Sequence, residues 1–98
     1  MLVQVSTVDV GEIVSFKLVS GEEIVAKLTG KTPHGYLVSK PYTVVPGLKS
    51  PELVMIMSSC ELDKEVEIKS QHILFEGPTT HKVKKIYSKA TSDLTLVQ

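Results

Sequence analysis

The sequence predicts a mainly β fold: a small, strongly bent antiparallel barrel of five or six short strands, followed by one C-terminal α-helix. Three observations carry this expectation. Apolar and polar residues alternate with period two from Glu12 onward, as half-buried strands require. Turn-forming residues (Ser20-Gly21, Thr32 to Gly35, Pro46-Gly47) break the alternation at short intervals, and no helical crossover of a dozen residues lies between the strands, which disfavours a parallel sheet. A helical stripe occurs only after Gly77-Pro78. The 98 residues suit a single domain, with the barrel over about 12–76, the helix over about 80–90 and a frayed tail over 92–98.

The first two strands form a hairpin. Val14, Phe16 and Leu18 share one face, as do Ile24, Ala26 and Leu28, so setting Leu18 opposite Ile24 requires an odd-length connection with Gly21 free to take positive φ. After the turn at Pro33-His34-Gly35, an extended stretch runs from Tyr36 to Val45. Pro41 inside it cannot donate to a ladder, so the strand is bulged, kinked or at an edge there. The loop Pro46 to Pro51 leads into Leu53-Val54-Met55-Ile56-Met57. Five consecutive apolar residues present large side chains on both faces of a strand. One face meets the core, and the other is covered either by the C-terminal helix or by a neighbouring subunit. Glu65 to Lys69 alternates again, Ser70-Gln71-His72 makes a polar bend, and Ile73-Leu74-Phe75 is the last strand. Thr79 or Thr80 caps a helix whose stripe is Val83, Ile86, Tyr87 and Ala90.

Composition narrows the chemistry. Eleven basic residues balance eleven acidic ones, so affinity for polyanions has to be local. All eleven are lysine, which leaves point-charge contacts but no guanidinium fork for guanine or phosphate. Residues 1–76 hold 7 Lys against 10 acids, whereas residues 77–98 hold Lys82, Lys84, Lys85 and Lys89 against Asp93 alone. The helix is therefore the basic end, suited to a solvated face or to phosphate contact. The lone Cys60 reads as a small structural residue in a reducing compartment, and Met1 to Val10 lacks the basic start of a secretion signal, so a cytoplasmic location is expected. No apolar run is long enough to span a bilayer.

No catalytic motif emerges. His34, His72 and His81 lack the spacing of a zinc pair, and the six glycines are isolated, so neither a metal, a nucleotide cofactor nor an enzymatic activity is expected. His34 and Tyr36 at one turn, with Lys69, Gln71 and His72 at another, supply ring faces, charge and amide groups. Single-stranded nucleic acid is commonly held by that mixture.

Val14-x-Phe16-x-Leu18-x-x-Gly21-x-x-Ile24-x-Ala26-x-Leu28 resembles the first motif of the Sm/LSm family, which includes the Hfq-like proteins, and Ile68-Lys69-Ser70-Gln71-His72-Ile73 occupies the place of the second. Within the family, the chain is most similar to small Sm-like proteins of marine phages, cyanophages included. Ala26 stands where the family has its second glycine, and Lys69-Ser70 where many members have Arg-Gly. The resemblance covers about residues 12–75. It implies an SH3-like barrel that joins its copies edge to edge into a ring of about five to seven subunits and binds single-stranded RNA, or alternatively DNA, in RNA or DNA processing. On that basis His34 or Tyr36 stacks on bases, and Lys69, Gln71 and His72 make backbone or base-edge contacts. Helix lysines such as Lys82 and Lys85 meet phosphates, while Leu53 to Met57, Ile73 and Phe75 face the neighbouring subunit. The competing expectation is an adaptor barrel that binds proteins and has no nucleic-acid affinity.

Overall fold

The computed structural model describes residues 8–61 and 63–96, the last five of these by their backbone alone. The chain is mainly β. In order it forms β1 (Ile13–Leu18), β2 (Glu23–Thr32), β3 (Gly35–Val45), β4 (Glu52–Met55), β5 (Val66–Lys69), β6 (Ile73–Pro78) and α1 (His81–Leu96), with a 3-10 turn at Ser70–His72. All pairings are antiparallel, in the order β4-β3-β2-β1-β6, with β5 also on β3. The outer edge of β3 is divided: β5 pairs with Gly35–Val38 and β4 with Tyr42–Val45. Because three residues join β5 on one flank of the sheet to β6 on the other, the sheet has to curl until its flanks nearly meet. β5 and β6 do not pair, so the curled sheet stays open at that seam.

Period two fills the core as expected. Val14 and Phe16 of β1, Ile24, Ala26 and Leu28 of β2, and Val38 of β3 join Val8 in one buried cluster. The hairpin register differs from the expected one: Phe16, not Leu18, faces Ile24. The turn sets this. Leu18 N–H donates to the Glu22 carbonyl at 2.9 Å and Gly21 N–H to the Leu18 carbonyl at 2.9 Å, leaving the three-residue loop Val19–Gly21, with Gly21 at φ 101°. A left-handed residue just before the second strand is the ordinary ending of such a loop, and only glycine takes it without strain. Leu18 instead lies opposite Ile73 of β6.

Pro41 resolves as a bulge. Ser39 faces Lys27 and Tyr42 faces Val25, so β3 spends one residue more than β2 across that step. Pro41 is fully buried, and Lys40 beside it takes φ 51°. A bulge disrupts the ladder, and the tyrosine of α1 compensates: Tyr87 Oη donates to the Lys40 carbonyl at 2.9 Å and reaches the Ser39 carbonyl at 3.2 Å. Its ring meets Tyr42 edge-on at 5.9 Å. The helix is thereby pinned to the outer face of β3.

Thr80, not Thr79, caps α1, its Oγ1 accepting from Val83 N–H at 3.3 Å. Thr79 is buried and its hydroxyl bonds that of Ser15 at 2.8 Å. The expected tail from Ser92 is instead helical through Leu96, because no glycine or proline follows Pro78 to stop the helix. Residues 97 and 98 of that tail lie outside the described residues. Ala90, expected in the apolar stripe, is exposed. Among the described residues no helix is long and apolar enough to cross a membrane.

Burial pushes the Tyr87 phenol from 10.0 up to about 12, and burial together with Glu76 raises Tyr36 equally far. Raised pKa values mean that the fold favours the neutral phenols. The associated stability is complete below pH 10 and is lost as pH climbs through about 12. Tyr87→Phe is expected to cost about 1–2 kcal/mol at neutral pH, through the unpaired carbonyls at the bulge. It should also flatten part of the alkaline decline, measured by urea unfolding at neutral pH and at successive steps above pH 9.

Candidate nucleic-acid interface

The β2–β3 turn and the 3-10 turn sit against each other. Gly35 pairs with Lys69, and Ser70 bonds the His34 carbonyl twice, through its N–H at 2.8 Å and its hydroxyl at 2.9 Å. Gly35 makes this approach possible, since a Cβ there would stand 2.0 Å from the Ile68 carbonyl oxygen. Pro33, His34, Lys69, Ser70 and Gln71 then line an open hollow of about 330 Å³. Gln71 Nε2 lies 3.4 Å from His72 Nε2, and the His72 carbonyl accepts from Val19 N–H at 2.8 Å, tying the 3-10 turn to the first hairpin.

The structure therefore brings His34 of one turn together with Lys69 and Gln71 of the other, with His72 next to Gln71, and adds Pro33 and Ser70. Tyr36 does not join them. Its ring packs on Phe16 at 5.4 Å, and its hydroxyl donates a short 2.5 Å bond to Glu76 Oε2, so it serves the core and ties β3 to β6. The basic helix is elsewhere too. β6 carries the chain from His72 to Pro78, about 20 Å at strand rise, before Lys82 and Lys85 begin. Both are exposed.

One residue beside the hollow went unsuspected. Glu67 lies on the same face of β5 as Lys69, two residues away, and its Oε1 is 2.7 Å from Lys69 Nζ. Thr32 Oγ1, from across β3, donates to Glu67 Oε2 at 2.6 Å and itself accepts from His34 N–H at 3.2 Å. The Lys69 ammonium and then the Thr32 hydroxyl hold the Glu67 carboxyl below the usual carboxylate range. The signal available in the sequence was the i, i+2 spacing of opposite charges in a strand.

The expected subunit contacts fall at two places. Val54, Met55, Ile56 and Met57 are 49%, 53%, 39% and 46% exposed on and after β4, with Leu53 half-buried; α1 lies near β4 without covering them. On β6, Phe75 is 70% and Leu74 57% exposed, because a bulge at Leu74 turns both outward, whereas Ile73 packs on the chain's own core. β4 and β6 are the two terminal strands of the sheet order.

Among the described residues, no three histidine, cysteine, aspartate or glutamate side chains are gathered to hold a metal ion. Cys60 is a free, half-buried thiol in the stretch after β4. No family model matches the chain, and no curated protein matches it either.

Proposed function

We propose that this protein is an Sm-like ring-former that binds single-stranded nucleic acid, RNA in the first place, at the hollow between the β2–β3 turn and the 3-10 turn. One observation carries the reading: the sheet ends in two terminal strands, β4 and β6, each bearing large exposed apolar side chains. Unpaired strand edges with apolar flanks call for a partner strand. Since the two edges are different surfaces of one chain, β4 of one copy on β6 of the next is a head-to-tail contact, which closes into a ring when the rotation allows. A ring repeats the hollow around an axis, so weak single-nucleotide contacts add along one strand. At each hollow the His34 ring offers a stacking face, Gln71 and His72 offer hydrogen bonds, and Lys82 and Lys85 take phosphates further out.

Fluorescence anisotropy with a labelled, mixed-sequence single-stranded RNA dodecamer over a salt series tests this. Binding is expected at low salt, weakening by about 0.7 log units per log unit of salt for each phosphate neutralised. His34→Ala should weaken it by about 1–3 kcal/mol through lost stacking. An assembled ring with no measurable RNA binding would leave the protein-adaptor reading in its place.

A further inference from the structure

Lys69 is the one lysine lining the hollow, yet a carboxylate already holds it. Glu67 bonds it at 2.7 Å through Oε1 and accepts from Thr32 at 2.6 Å through Oε2, so each carboxylate oxygen has a partner. The other lining residues, Pro33, His34, Ser70 and Gln71, offer a ring, a hydroxyl and an amide. Phosphate binding depends on uncompensated cations, whereas base edges and faces are read by neutral hydrogen-bonding groups and rings.

We propose that Glu67 is a specificity-determining residue: by holding Lys69 it withholds that cation from phosphate, so that the hollow takes the nucleobase of a bound strand and not its backbone. This rests on the nucleic-acid reading above and assigns its contacts. Two residue pairings make the arrangement. Strand alternation sets Glu67 and Lys69 on one face of β5. Gly35, lacking a side chain, lets β5 approach β3 closely enough for Thr32 to reach Glu67 from β2. The salt dependence of the wild-type protein then comes from lysines outside the hollow.

The test compares wild type, Glu67→Gln, Lys69→Gln and the double variant, using the same RNA dodecamer and salt series. Glutamine keeps the shape of Glu67 and its bond to Thr32 while removing the charge, and thermal melting reports that each variant is folded. Glu67→Gln is expected to tighten binding about two- to fivefold at low salt, the range of an exposed ion pair. It should also steepen the log-log salt slope by about 0.7 for each phosphate gained. Lys69→Gln alone should change neither quantity appreciably, and in the double variant both gains should vanish. Unchanged affinity and slope in Glu67→Gln would overturn the assignment, as would a Lys69→Gln loss as large in the wild-type background as in the Glu67→Gln background. If none of the four proteins binds RNA, the nucleic-acid reading falls, and this assignment with it.

Discussion

Gly35→Ala is expected to destabilise the fold by about 3 kcal/mol, the upper end of what overpacking costs. Against a total on the order of 5–15 kcal/mol for a domain, that is a large fraction. The reason is contact, not backbone conformation. Gly35 is not among the left-handed glycines, but its new Cβ would fall 2.0 Å from the Ile68 carbonyl oxygen and 3.0 Å from Lys69 Cα. Both are backbone atoms, which cannot rotate away. β5 has to retreat from β3, and with it go the Ser70 bonds to His34 and one wall of the hollow. Gly21→Ala is the control: nothing lies near its added methyl, and only the φ of 101° opposes it, for about 1–2 kcal/mol. Urea unfolding of both variants should show the larger loss at Gly35, and RNA binding should fall with Gly35→Ala alone at temperatures where both are folded. Equal losses would mean that β5 can slide without consequence.

Placing a charge on either terminal strand is expected to dissolve the proposed ring. Phe75→Lys puts an ammonium where a 70% exposed ring now stands on β6, and Met55→Lys does the same on β4. Lysine on an edge strand is a natural device against strand pairing. Losing a central anchor costs about 2 kcal/mol or more per junction, which is about thirtyfold in its dissociation constant. Each variant should sediment as a monomer at concentrations where the wild type is assembled, with its fold intact. In the proposed head-to-tail contact, a mixture of the two variants retains one sound junction, Phe75 of one against Met55 of the other, and should recover dimers. A symmetric contact of β4 with β4 would be insensitive to Phe75→Lys.

Much of this was legible in the residues. Strict alternation fixed β1 and β2, Gly21 marked its turn, Ser70 to His72 announced the break between β5 and β6, and Pro41 called for a bulge, a kink or an edge, of which β3 has the bulge. Register was not legible, because it depends on the hydrogen-bonding of a three-residue loop and not on polarity. Nor was the direction of Tyr36. Tyr36, Leu37 and Val38 are all apolar-bodied, so period two assigns them no face, and contact with Phe16 decides it. The helix ran past its expected end because a Ser-Asp pair discourages a helix without stopping it. Three of the five residues lining the hollow, His34, Lys69 and Gln71, were singled out by residue type alone. Glu67 and Gly35 did not, since their importance comes from β5 lying against β3, a pairing of segments some 30 residues apart that no local pattern encodes.

The mass of the wild-type protein in solution, from size exclusion coupled to multi-angle light scattering, tests the central claim most directly. A single species of about five to seven chain masses, stable to dilution, is the predicted result, since it gives the bare strands β4 and β6 a partner in every copy. A mass of one chain across the concentration range, with Val54, Met55 and Phe75 left in water, would contradict it.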